Sequence, residues 1–191
     1  MNNLEYRVNL VDEYLNKLNL PNEIKGYFHN RNILVTGGAG AIGSNLVIAL
    51  SKLVGDDGMI IVLDNLSAIK GVEPIDLPPL SNMMFVNGDV RNDVDLKRVF
   101  REKPTVVYHL AAFFANQNSV DYPENSADVD IQGMIKLLDL AQFTDVDRFI
   151  YASSGCAIYG SYGEMPLKED FISMKLIVLL KISVWLLVKD L

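Results

Sequence analysis

The sequence predicts an α/β fold: a doubly wound parallel sheet with helices on both faces. Two observations carry this. Five short apolar runs, at residues 33–35, 59–63, 83–86, 105–110 and 149–152, alternate with segments of helical apolar spacing. The polar residues Asp64, Asp89, Ser153 and Ser154 each follow one of those runs. Ligands of open α/β sheets bind at the carboxyl ends of the strands.

The first run opens the most informative stretch, ILVTGGAGAIGSNL at residues 33–46. Gly37, Gly40 and Gly43 stand three residues apart. Ile42, Leu46, Val47, Ala49, Leu50 and Leu53 then fall at helical spacing. A strand, a glycine turn and a helix make a place for a phosphate. Backbone N–H groups of the turn come close to the ligand, and the helix N-terminus adds unpaired donors and the positive end of its dipole. Gly37 suits the tight turn, Gly40 leaves room for a pyrophosphate, and Gly43 lets the helix lie close to the strand. Ala41 and Ile42 supply the N–H groups between them. The spacing is G-x-x-G-x-x-G, and an ordinary strand-to-helix turn is the plain alternative.

The second run ends in Asp64, 21 positions after Gly43. A carboxylate there accepts hydrogen bonds from both hydroxyls of an adenosine ribose and repels a 2′-phosphate, so NAD is expected over NADP. The plain alternative is turn chemistry at Asp64-Asn65. The third run is followed by Gly88-Asp89-Val90. Asp89 is expected towards the exocyclic amine of adenine and Val90 against the ring. After the fourth run, Leu110, Ala111 and Ala112 are small or apolar and let a flat cofactor approach the backbone. His109 reads as a satisfied core histidine.

Composition sets the outer bounds. Of 191 residues, 50% are apolar and 21% charged, which is globular rather than disordered. The net charge of −7 argues against a nucleic-acid partner. One cysteine, Cys156, excludes an internal disulfide framework and fits a reducing compartment. The first residues carry no signal-peptide apolar core, so a soluble cytoplasmic protein is expected.

Around these runs the helices are expected as follows. Leu4, Val8, Val11, Leu15 and Leu18 predict an amphipathic helix in an N-terminal extension, residues 1–30, broken by Pro21-Asn22. It reads as a packing appendage, or as a regulatory or dimer-contact arm. Residues 65–82 read as a loop. Residues 93–101 read as a helix capped by Asp93. Residues 124–143 read as one helix burying Val129, Ile131, Met134, Ile135, Leu137, Leu138 and Ala141.

Taken together, TGGAGAIGSNL, DNLS at residues 64–67, GDV at 88–90, HLAA at 109–112 and SSGCAIYG at 153–160 resemble the extended short-chain dehydrogenase/reductase family. More narrowly, they resemble its NAD-dependent nucleotide-sugar epimerases and dehydratases, of which UDP-glucose 4-epimerase is the type. The resemblance covers residues 31–170. It implies a Rossmann-like domain with a tightly held NAD that oxidises a sugar hydroxyl and later returns the hydride. It also implies Asp64 and Asn65 in the cofactor site, Ser153 near the nicotinamide, and Ser154 as the catalytic hydrogen-bonding serine. A nucleotide sugar as substrate and a homodimer are implied as well, and no membrane or metal.

The family's catalytic Tyr-x-x-x-Lys pair is not found. No tyrosine has a lysine four positions on, and none occurs after Tyr162. The expected region, residues 175–190, reads KLIVLLKISVWLLVKD; Lys175 and Lys181 have Phe171 and Ile177 at the tyrosine position. Residues 171–191 are an apolar, atypical tail, too interrupted by charge for a span of about 18–20 residues. An out-of-frame or truncated end is therefore expected, with the family's C-terminal substrate domain missing. Two classes stand: a catalytically impaired epimerase/dehydratase-type protein, or a non-catalytic dinucleotide-binding module or sensor. A short-chain alcohol dehydrogenase is disfavoured by DNLS and the SSGCAIYG loop.

Overall fold

The computed structural model describes residues 3–67, 77–114 and 116–153. Five strands form one parallel sheet: β1 (Asn32–Thr36), β2 (Met59–Asp64), β3 (Met83–Asn87), β4 (Val106–His109) and β5 (Arg148–Tyr151). Their order across the sheet is β3-β2-β1-β4-β5, so the topology reverses between β1 and β4.

The central strands β1 and β2 are buried on both faces because their middles are unbroken apolar runs, whereas the edge strand β3 leaves Phe85 exposed. Alternation along β1 sends Ile33 and Val35 to one face and Leu34 to the other. On the first face they pack with Val47, Leu50 and Val54 of α3 (Ala41–Val54). On the second, Leu34, Ile61 and Val107 meet Leu96, Val99 and Phe100 of α4 (Asp93–Phe100) and Leu137 and Ala141 of a later helix, α7 (Gly133–Gln142). The expected doubly wound layering is what forms.

In the N-terminal extension the expected amphipathic helix forms as α1 (Asn3–Leu18), and a second helix, α2 (Asn22–Phe28), follows it. The chain turns after Leu18, and the Pro21 carbonyl receives the Ile24 and Lys25 N–H groups of α2. Other local expectations are corrected. α1 lies on α3, with Leu10 and Val11 towards Leu46, while Leu18 stays exposed. The cap of α4 is Asn92, whose side chain accepts from the Val94 N–H (2.8 Å); Asp93 is the first helical residue. The long helix after β4 is divided. After a short α5 (Asn116–Asp121) come α6 (Pro123–Ser126), a π-helical stretch (Ala127–Gln132) and α7. The wider π turn rotates the faces, so Ile131 and Ile135 are exposed although a regular 3.6-residue period would bury them. Met134, Leu137 and Ala141 are buried as expected.

At the amino ends of the strands, the extension is tied down by a polar and aromatic cluster. Arg31 Nη1 donates to Asp147 (2.6 Å), Tyr27 donates its hydroxyl to the same carboxylate (3.3 Å), and the Arg31 guanidinium lies 4.1 Å from the Tyr27 ring centre. Among the described residues no helix is long and apolar enough to cross a membrane.

Candidate functional site

The strand register brings the sequence-predicted residues to one edge of the sheet. Thr36 is level with Leu63 and His109, Asp64 with Asn87, and His109 with Tyr151. Gly37, Asn65, Asp89, Leu110 and Ser153 therefore leave the sheet side by side at its carboxyl end. Ser154 lies outside the described residues, as do Cys156 and residues 171–191.

The glycine turn is built by exclusion. Gly37 has a positive φ of 69°, and a Cβ there would lie 2.7 Å from the Ala111 N and 2.8 Å from the Leu110 carbonyl carbon. The turn thus rests directly on the chain leaving β4. A Cβ on Gly43 would overlap the Gly37 carbonyl oxygen and come within 2.7 Å of the Gly38 Cα. Gly43 is what lets α3 start this close to the turn. Gly40 differs: its φ is −71° and a Cβ would meet only the Gly37 oxygen, at 3.2 Å. Gly38 was not singled out from the sequence, yet a Cβ there would lie 2.7 Å from a methyl of Val62. Its adjacency to Gly37 was the available signal.

No side chain caps α3, and its first turn holds no acidic residue. Its first internal bond runs from the Ser44 N–H to the Gly40 carbonyl (2.9 Å). The N–H groups of Ala41, Ile42 and Gly43 are the donors a helix start leaves for an anion. Ile42, expected on the inward stripe, is 74% exposed, beside those donors.

Asp64 is held in place from both oxygens. Oδ2 accepts from the Ala39 N–H (2.9 Å), inside the glycine turn, and Oδ1 from the Leu66 N–H (2.8 Å). A carboxylate offers about four lone-pair sites, so capacity for two hydroxyl donors is left. Asn65 donates to Asp89 (2.8 Å), and Arg91 grips the Asp89 carboxylate through Nε (2.9 Å) and Nη2 (2.8 Å). Chiefly through the Arg91 hydrogen bond, the Asp89 carboxyl is pulled down to about 2. Val90 is 5% exposed, packed in the core against Gly133, so little of its surface is left to meet a ligand ring.

His109 is buried as expected but only half satisfied. Its Nδ1 is 2.7 Å from the Thr36 hydroxyl oxygen, while Nε2 has no partner among the described residues. Burial alone lowers its pKa to about 4, so the ring is neutral and structural. Leu110 and Ala111 are half-buried and Ala112 exposed. The Leu110 N–H bonds the Thr36 carbonyl (3.0 Å), which fixes the β4 exit against the glycine turn. Ser153 is exposed just past β5.

A glycine turn on a bare helix start, an anchored aspartate at the next strand end and a topological reversal beside them define a dinucleotide-binding α/β domain. Comparison with known proteins gives the family. The chain belongs to the NAD dependent epimerase/dehydratase family, whose model matches residues 33–176. A putative UDP-glucose 4-epimerase of Methanocaldococcus jannaschii is 37% identical over 141 residues, covering 72% of this chain and 43% of that one. Among solved structures, an epimerase from Methanothermobacter thermautotrophicus superposes with a TM-score of 0.70 at 46% identity, over 78% of this chain and 43% of that one. The UDP-glucose 4-epimerase of Thermus thermophilus, solved in complex with NAD, gives a TM-score of 0.62 at 35% identity, over 73% and 42%. The chain thus spans under half the length of the relatives it matches.

Proposed function

We propose that this domain binds NAD in a protein of nucleotide-sugar epimerase or dehydratase type. The pyrophosphate would lie on the Ala41–Gly43 donors, the adenosine ribose on Asp64, and the nicotinamide half near Ala111, Ala112 and Ser153. Bound NAD supplies one thing to such a reaction: it takes a hydride from a sugar carbon and returns it. The observation that carries the reading is Asp64. Its carboxylate is tied to the Ala39 N–H within the glycine turn, so the ribose acceptor and the phosphate cradle are one rigid unit. The named relatives support the sugar class, since several are UDP-glucose 4-epimerases and one is a CDP-paratose 2-epimerase.

In the same reading, Ser154 is the catalytic hydrogen-bonding serine, and turnover is impaired because no Tyr-x-x-x-Lys occurs in the 191 residues. A tyrosinate base is then lacking, and a serine hydroxyl is too weak an acid-base group near neutral pH to replace it. The alternative is a module or sensor that binds the dinucleotide without chemistry, and the missing pair favours it. A cytoplasmic location and a homodimer belong to the proposal; Val120, Tyr122, Ile131 and Ile135 leave exposed apolar surface on the helices after β4.

Calorimetric titration of NAD and an assay of UDP-sugar turnover on the same sample test this. Binding with little or no turnover is expected. In Asp64→Ala, loss of the two ribose hydrogen bonds is expected to weaken NAD by about 2 kcal/mol, roughly 30-fold. Unchanged affinity in a folded variant would remove the ribose assignment, and turnover at ordinary enzyme rates would remove the impairment.

A further inference from the structure

We propose that Asn65 sets the base tolerance of the dinucleotide site: it occupies the acceptor position on Asp89 that an adenine amine would take, and it offers its second N–H to an oxygen in the amine's place. The inference rests on the dinucleotide reading above and extends it from NAD to dinucleotides of 6-oxopurines.

The sheet order places the base. The glycine turn leaves β1, Asp64 ends β2, and β3 is the next strand outward. Neighbouring strands lie about 4.8 Å apart. A dinucleotide with its phosphates on the turn and its ribose on Asp64 therefore carries its base towards the end of β3. The Gly88 N–H donates to the Asp64 carbonyl (3.1 Å), which fixes that exit beside the ribose acceptor. Asp89 follows, half-buried. Asn65, next in the chain to Asp64 and exposed, reaches across to it (2.8 Å).

Every acceptor position of the Asp89 carboxylate is taken. An ionised carboxylate accepts at about four positions. Oδ1 accepts from the Arg91 backbone N–H (2.9 Å) and from Arg91 Nε (2.9 Å). Oδ2 accepts from Arg91 Nη2 (2.8 Å) and from Asn65 Nδ2 (2.8 Å). The two guanidinium bonds are charge-assisted, the stronger kind. The neutral amide of Asn65 is the donor that a ligand amine can displace, and such a one-for-one exchange adds no hydrogen bond to Asp89. Asn65 cannot turn its oxygen to the carboxylate, because Oδ1 accepts from both the N–H and the hydroxyl of Ser67. The amide nitrogen carries two hydrogens. With one on Asp89, the other is left for a 6-oxo group at the same ring position. An amine and an oxygen are thus both met, whereas strong discrimination needs one of them to leave a polar group unpaired.

Calorimetric titration of the full chain with NAD and with nicotinamide hypoxanthine dinucleotide tests this, in the unaltered protein and in Asn65→Ala and Asn65→Ser. The readout is the ratio of the two affinities, which cancels any change in the turn at residues 64–67 that affects both ligands alike. The unaltered chain is expected to bind the two within about threefold. Removal of the amide opens a lone pair to the amine and leaves the 6-oxo group facing a bare carboxylate. Both variants are therefore expected to shift the ratio about five- to tenfold towards NAD. Serine keeps an oxygen for the Ser67 N–H, so it carries the comparison if the alanine variant does not fold. A preference for NAD of about tenfold or more in the unaltered chain would overturn the proposal. So would a ratio in the folded variants that is unchanged or shifted towards the hypoxanthine dinucleotide. Failure of the unaltered chain to bind either dinucleotide would overturn the dinucleotide reading, and this proposal with it.

Discussion

Gly40 and Gly43 stand three residues apart in one motif, yet the structure gives them different tasks, and a pair of alanine substitutions separates them. In Gly43→Ala the added methyl overlaps the Gly37 carbonyl oxygen and lies 2.7 Å from the Gly38 Cα. Both are backbone and cannot rotate away, so α3 must shift from the turn. Overpacking of this kind costs about 1–3 kcal/mol. The upper half of that range is expected because three backbone atoms of the turn, Gly37 O, Gly37 C and Gly38 Cα, lie within 3.0 Å of the methyl. At roughly 2–4 °C per kcal/mol for a chain of this size, the melting temperature should fall by about 4–12 °C. NAD affinity should fall too, because the Ala41–Gly43 donors move with the helix start.

In Gly40→Ala, φ is already −71° and the methyl meets only the Gly37 oxygen, at 3.2 Å. Stability should fall by no more than about 1 kcal/mol, since this one tight contact asks for only a small shift of the turn. The methyl instead occupies space at the mouth of the cradle, and NAD affinity should fall at least tenfold, about 1.4 kcal/mol. Thermal melting and calorimetry on both variants give four readings. A Gly43→Ala protein that melts like the unaltered one would refute the close-approach argument. A Gly40→Ala protein with full NAD affinity would refute the clearance for the pyrophosphate.

Two further outcomes follow from groups away from the cradle. His109 is 1% exposed with its pKa lowered by burial to about 4, against about 6.5 in the unfolded chain. Between those values the unfolded state binds a proton that the folded state does not, so stability falls as pH falls from about 6.5 towards 4. Between pH 7.5 and pH 5 the loss from this residue is about 2 kcal/mol; urea denaturation of His109→Gln should lack that part of the slope, and an identical slope would refute it. At the opposite edge of the sheet, Asp147→Asn removes the carboxylate shared by Arg31 and Tyr27. It should cost about 1 kcal/mol of stability while leaving NAD affinity unchanged, and a change in affinity would show that the two edges are coupled.

The parts of this chain legible from sequence were those where one local rule acts alone. Ile33, Leu34 and Val35 could be placed as a buried strand because a parallel sheet covered on both faces demands an unbroken apolar run. Gly37 and Gly43 could be placed because a positive φ and a close backbone approach exclude every other residue. Asp64 could be placed at the carboxyl end of β2, beside the glycine turn, because the apolar run before it ends there; its bond from the Leu66 N–H also fits the turn chemistry expected of Asp64-Asn65. What escaped depended on partners far away in the chain. Nothing in the spacing of Ile131 and Ile135 announces the π-helical stretch Ala127–Gln132 that precedes α7. Val90 looked like a ligand contact from its place after Asp89, but Gly133, 43 residues on, opens a slot that takes it into the core.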